Sequence, residues 1–179
     1  MALLAETLVD EWSNRQGYFT VRGLKGGLGE IDLLGVRAAP GRPEACHVEV
    51  QTSFRPVGYI APLLDEDRAG FAKSKTSAKA RPEALVRRSV EAWVAKKYTA
   101  PEKAAARKRA WPGLTWRLLF VHAVVREPLE LAVIAEHGVE VLPFHTVLRQ
   151  LRHAPDAARG SAGTDLSEII EYSAQHGVR

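Results

Sequence analysis

The chain has 179 residues, 46% hydrophobic and 26% charged, an ordinary globular balance with length enough for one domain and a real core. Lys and Arg number 25 against 21 Asp and Glu, a formal charge of +4 that suits an anionic partner. A single cysteine excludes an internal disulfide and fits a reducing, cytoplasmic setting; no apolar run approaches membrane-spanning length, and no signal-peptide pattern opens the chain.

Leu3, Leu4, Leu8, Val9 and Trp12 recur at helical spacing, which predicts an amphipathic helix from about Leu3 to Arg15. Glu6 stands at the border of its apolar stripe. Gly17 ends the helix, and Tyr18 to Val21 start a strand. Gly23 to Gly29 reads as a flexible hairpin turn. It is not a phosphate loop, because a strand follows where a helix would be needed. Gly29 to Gly35 and His47 to Gln51 read as adjacent strands joined by the Pro- and Gly-containing stretch 38–43. Alternation along the second strand puts Val48 and Val50 on one face and Glu49 and Gln51 on the other. If Asp32 projects to that same side, two carboxylates and an amide converge. Such a pair of acids can hold a hard divalent cation, which can activate water and neutralise charge on a phosphate.

Residues 52–62 read as a loop that carries Ser53, Arg55 and Tyr59 away from these acids. From Arg68 to Arg109 the chain turns basic, with Lys73, Lys75, Lys79, Arg87, Arg88, Lys96 and Lys97 prominent. Leu85, Val86, Val90, Trp93 and Val94 mark a helix there, with the charges on its other face, an electrostatic footprint suited to nucleic acid. Thr115 to Val125 reads as a central strand. Leu129 to Ala135 fits either a strand or a short helix. Val139 to Pro143 reads as a last strand and Phe144 to Leu151 as a helix. His122, His137, His145 and His153 lack zinc-site spacing and read as structural. Residues 154–164 read as a linker, and 165–179 as a C-terminal helix capped by Thr164 or Asp165. Residues 1–153 then form the main domain.

Asp32 on one strand and Glu49-x-Gln51 on the next resemble the PD-(D/E)XK nuclease superfamily. Gln51 stands where that family usually has Lys, and Ile31 where it often has Pro; some members carry Gln at the former position. The resemblance implies an α/β fold of restriction-endonuclease-like architecture, a mixed central β-sheet flanked by helices. It implies hydrolysis of phosphodiester bonds with Mg²⁺ (or Mn²⁺), bound by Asp32, Glu49 and the Val50 carbonyl. Glu6 would assist from the first helix, and Gln51 would orient the attacking water, since an amide can hydrogen-bond water but cannot act as a base. Ser53, Arg55 and the basic residues named above would hold nucleic acid, DNA foremost. The alternative left open by Gln51 is a nuclease-fold module that binds nucleic acid or protein without cutting. A homodimer or larger complex is compatible with either.

Overall fold

A computed structural model describes residues 2–26, 29–53, 58–72, 74–77 and 79–153. Arg55, Lys73, the expected linker 154–164 and the expected helix 165–179 lie outside these residues. Helix α1 (Ala2–Arg15) buries Ala5, Leu8 and Val9, the i, i+3, i+4 stripe expected of it. Gly17, at φ 84°, turns the chain into β1 (Phe19–Gly26). Strand β2 (Gly29–Arg37) pairs antiparallel with β1. The glycine-rich stretch expected to be one flexible turn is mostly ladder. Leu24, Lys25 and Gly26 face Ile31, Glu30 and Gly29, because cross-strand hydrogen bonds outweigh the modest strand penalty of glycine, ~0.5–1 kcal/mol each.

Strand β3 (Glu44–Gln51) pairs antiparallel with β2, and β4 (Trp116–His122) and β5 (Val139–Pro143) continue the sheet in parallel. The strand order is β1-β2-β3-β4-β5. Parallel neighbours need crossovers. Between β3 and β4 the crossover holds α2 (Asp65–Phe71), α3 (Glu83–Val94) and α4 (Pro101–Ala110). A π-helical turn, Ala95–Thr99, joins α3 to α4. Between β4 and β5 lies α5 (Pro128–Glu136), so the segment that fitted strand or helix is a helix. Pro128 opens it, and the Glu127 side chain accepts from the Leu129 amide. Helix α6 (Phe144–His153) closes the described chain.

Helices cover both sheet faces, which makes this a mixed α/β fold. On one face α1 and α6 pack on Leu33, Cys46, Val48, Leu119 and Val121. On the other, α3 and α5 pack on Phe120 and Val139. Alternate residues of β4 thus enter opposite cores, as a strand buried on both sides requires. A smaller cluster seats Ala106 of α4 on Ile31 and Leu34. Among the described residues, no helix is long and apolar enough to cross a membrane.

Candidate functional site

The site is built where β2 and β3 part. Their pairing ends at Leu33 opposite Val48, while β3 runs on beside β4 as far as Gln51. Ile31 and Leu34, three residues apart, both pack on α4, whereas Leu33 packs towards α1. Strict alternation therefore breaks around Asp32. The Val50 amide, which has run out of strand partner on the β2 side, donates instead to Asp32 Oδ2 at 2.7 Å. Among the described residues, Asp32 makes no other hydrogen bond or ion pair.

Glu49 lies on the opposite face of β3 from Val48, as alternation predicts, but it is not on a solvated surface: it is 1% exposed. His47, two residues earlier on the same face, places Nε2 3.0 Å from Glu49 Oε1. Lys97, from the π-helical turn, donates to Glu49 Oε2 at 2.5 Å, and Lys103 Nζ stands 3.6 Å from Oε1. Beneath them Arg107 Nη1 reaches His47 Nδ1 at 2.8 Å and the Tyr98 carbonyl at 2.8 Å. A guanidinium only donates, so Nδ1 must be the acceptor and the His47 proton must sit on Nε2, directed at Glu49. Burial pushes His47 below its ordinary pKa despite the hydrogen bond to Glu49, which keeps the ring neutral.

The acids behave differently. Burial, then the charge of Glu49, push the Asp32 carboxyl up to about 6, although the Val50 amide pulls the other way. Burial also works against ionisation of Glu49, but the hydrogen bond from His47 and the charge of Lys97 hold it below the usual carboxylate range. Lys97, though desolvated, is held above its ordinary value by Glu49, with Asp32 and Glu6 adding to the effect. Glu6 of α1, half-buried, therefore acts electrostatically on both Asp32 and Lys97. Lys97 thus feels three carboxylates but pairs directly with Glu49 alone.

The cations come from positions that the charge count along the chain disguises. Val86, Val90, Trp93 and Val94 form the buried stripe of α3, and Lys97 continues it one turn later. The Ala100 amide bonds back to the Ala95 carbonyl at 2.7 Å, five residues earlier. That wider turn, uncommon and frequent at functional sites, buries Tyr98 completely and turns Lys97 onto Glu49. On α4, Lys103 and Ala106 are buried although most of its surface is charged. Lys103 passes over Gly29, where a Cβ would stand 3.3 Å from its Cε, and donates to the Glu30 carbonyl. A polar residue on an otherwise apolar helical stripe, and His47 two residues from Glu49 on a strand, were the sequence signals for these partners.

Other expected residues are dispersed. Gln51 is exposed and, with Lys96 and Lys97, lines a cavity of about 370 Å³. Ser53 is half-buried just beyond β3. Lys75 pairs with Asp65 at 2.8 Å, and Lys79 lies over the Phe71 ring. Arg87 is shared between Glu83 and Glu136, and Arg88 pairs with Asp67. Part of the basic stretch is therefore neutralised by acids, Glu136 and Asp67 from other elements among them, a pairing that only the tertiary fold creates. Lys96 makes no ion pair among the described residues.

Asp32 and Glu49 supply hard oxygen donors, and the burdened Asp32 carboxyl would gain from a nearby cation. Among the described residues, no three of His, Cys, Asp or Glu form a metal cluster by themselves. Mg²⁺ commonly needs only one or two carboxylates plus substrate phosphate, so the donor set fits that ion.

No family model matches the chain, and no curated protein matches it. Among solved structures, a crystal structure of a protein of unknown function, AF1548, aligns with TM-score 0.48 and 12% identity, over 96% of this chain and 79% of that one.

Proposed function

We propose that the protein is a metal-dependent nuclease that hydrolyses phosphodiester bonds of nucleic acid, DNA foremost. The reading rests on one observation: at the parting of β2 and β3, Asp32 takes the Val50 amide at 2.7 Å, next in sequence to buried Glu49, which Lys97 meets at 2.5 Å. Mg²⁺ or Mn²⁺ would be held by Asp32, Glu49 and the Val50 carbonyl, and would supply charge neutralisation at phosphate and an acidified water. An extended residue directs its N–H and C=O to the same side, so the Val50 carbonyl faces the gap that its amide shares with Asp32. His47 holds Glu49 in one orientation through Nε2–H. Lys97 takes the role that the family resemblance gives to a strand lysine, offering an ammonium to charge developing on phosphate. Gln51 orients water, and Lys96 meets the backbone. The proton released by water passes to solvent or to a phosphate oxygen, because Glu49, hydrogen-bonded to His47 and paired with Lys97, is too weak a base to keep it.

The test is cleavage of labelled single- and double-stranded DNA with Mg²⁺, Mn²⁺ or EDTA. Wild type should cut only with metal, and Asp32→Asn and Glu49→Gln should lose at least about a hundredfold in rate. Metal-independent cutting, or full activity in either variant, would sink the proposal. The non-cutting module is the second reading, favoured by Lys97 already neutralising Glu49 at 2.5 Å. It predicts salt-sensitive binding with no turnover in any metal.

A further inference from the structure

Beside the acids, α3 and residues 60–65 form the sides of the open cavity of about 370 Å³ that Gln51 and Lys97 border. That is the size of a small-ligand pocket, ~300–1,000 Å³, and far too narrow for a duplex. Its wall is apolar, made by Leu63 and the Trp93 side chain. Lys96 and Lys97 stand at one side, and the rim acid Asp65 is neutralised by Lys75 at 2.8 Å. Beneath that wall the Ser89 hydroxyl is buried, with the residue 1% exposed, and has no hydrogen-bond partner. A buried hydroxyl without a partner is costly, ~1–3 kcal/mol, and Ser89 borders a cavity that a polar ligand can enter. The wall itself is fixed: Ile60 and Ala61 donate to Glu130 at 2.6 and 2.7 Å, and Arg81 donates to the Ala61 carbonyl at 2.7 Å.

An apolar slot, cations on one side and one waiting hydroxyl match a flat, partly polar body carrying phosphate. We propose that the cavity receives one unpaired nucleotide next to the phosphodiester held at Asp32 and Glu49, making single-stranded nucleic acid the preferred substrate. The base lies against Trp93 and Leu63 and bonds Ser89, and its phosphate meets Lys96. This rests on the nuclease reading. Within a duplex the same nucleotide must first be unstacked and unpaired, which disfavours paired substrate.

The experiment is fluorescence anisotropy in EDTA with a labelled single strand of about ten thymidines and a blunt duplex of equal length. Wild type should bind the single strand about tenfold more tightly or better, as one nucleotide's unpairing is avoided. Ala92→Trp, which fills the cavity from α3, should bring the two affinities within about twofold by abolishing that avoidance. Ser89→Ala should weaken single-strand binding alone by about three- to tenfold. It keeps the test decisive if Ala92→Trp misfolds, because removing an unpartnered hydroxyl leaves thermal stability unchanged or higher. Equal wild-type affinities, or single-strand binding indifferent to Ser89→Ala, overturn the proposal. Binding without metal is read separately from cleavage. Selective binding with no cutting would spare the cavity and sink the nuclease reading. Metal-dependent cutting of both substrates with no effect of either variant would do the reverse.

Discussion

At the scale of single residues, Asp32 carries the clearest consequence. Its carboxyl titrates near 6 in the folded protein, above the ~3.9 of an unfolded chain. The folded state therefore holds the proton longer, and stability falls as pH rises from about 4 through 6. The full difference corresponds to roughly 3 kcal/mol. Asn keeps an acceptor for the Val50 amide and removes the charge. Asp32→Asn should thus raise the denaturant midpoint at pH 7.5, by roughly 1–3 kcal/mol of stability, and change little at pH 4. A midpoint unchanged at pH 7.5 would mean that Asp32 is not strained by burial. Lys97→Met should do the opposite, since it strips Glu49 of its close ammonium. Breaking a buried pair costs about 3–5 kcal/mol; Lys97 is 31% exposed, so a loss of about 2 kcal/mol is expected. If the acids bind Mg²⁺, that ion should raise the melting temperature of Lys97→Met more than that of wild type, because it replaces the missing charge. Equal Mg²⁺ shifts in a thermal scan would argue against a shared cation position.

At the scale of elements, Glu130 of α5 serves as an anchor for the segment before α2. It is fully buried and takes two amides, Ile60 and Ala61. Glu130→Ala leaves both unpaired at about 1–3 kcal/mol each, so a loss of about 2–5 kcal/mol is expected, with faster hydrogen exchange at those two amides. Exchange that stays slow there would assign the tether to other contacts. The same elements show what a sequence can convey. Period-2 and period-3.6 patterns located α1, β2, β3, β4 and the faces of Val48 and Glu49, because burial of alternating apolar residues leaves a local trace. Glu49 was legible for the same reason; the facing of Asp32 was not, because alternation breaks around it. What was not legible depends on residues distant in the chain. Arg87 and Arg88 read as a basic surface until Glu136 and Asp67 were seen to meet them. Gly23 to Gly29 read as one turn because the ladder that pairs Leu24, Lys25 and Gly26 is supplied by β2. Lys97 read as one more surface charge because the wide turn that aims it at Glu49 is set by backbone geometry rather than composition.

For the molecule as a whole, the 25 Lys and Arg overstate the cations free to meet phosphate. Many are paired, so the salt dependence of binding should be shallow for a chain this basic. A log–log slope near −2 to −3, about three phosphates neutralised on a single strand at ~0.7 each plus a residual share from paired cations, is expected. Lys96→Glu should weaken binding and flatten that slope by about one, while Arg87→Glu should change it less. Equal effects from the two variants in a salt titration would mean that the ion pairs of Arg87 open when nucleic acid arrives.

The turn at Ala95–Thr99 has a consequence for descent. Bonding five residues back where an α-helix bonds four amounts to one amino acid inserted into an otherwise regular helix. Deleting Lys96 would restore regular winding and move Lys97 into the outward-facing slot, with Tyr98 sliding into its place beside Glu49. A single codon gained or lost is therefore enough to install the ammonium at the acids or withdraw it. Chains of this architecture that differ there by one residue should divide sharply in chemistry while remaining nearly indistinguishable in shape.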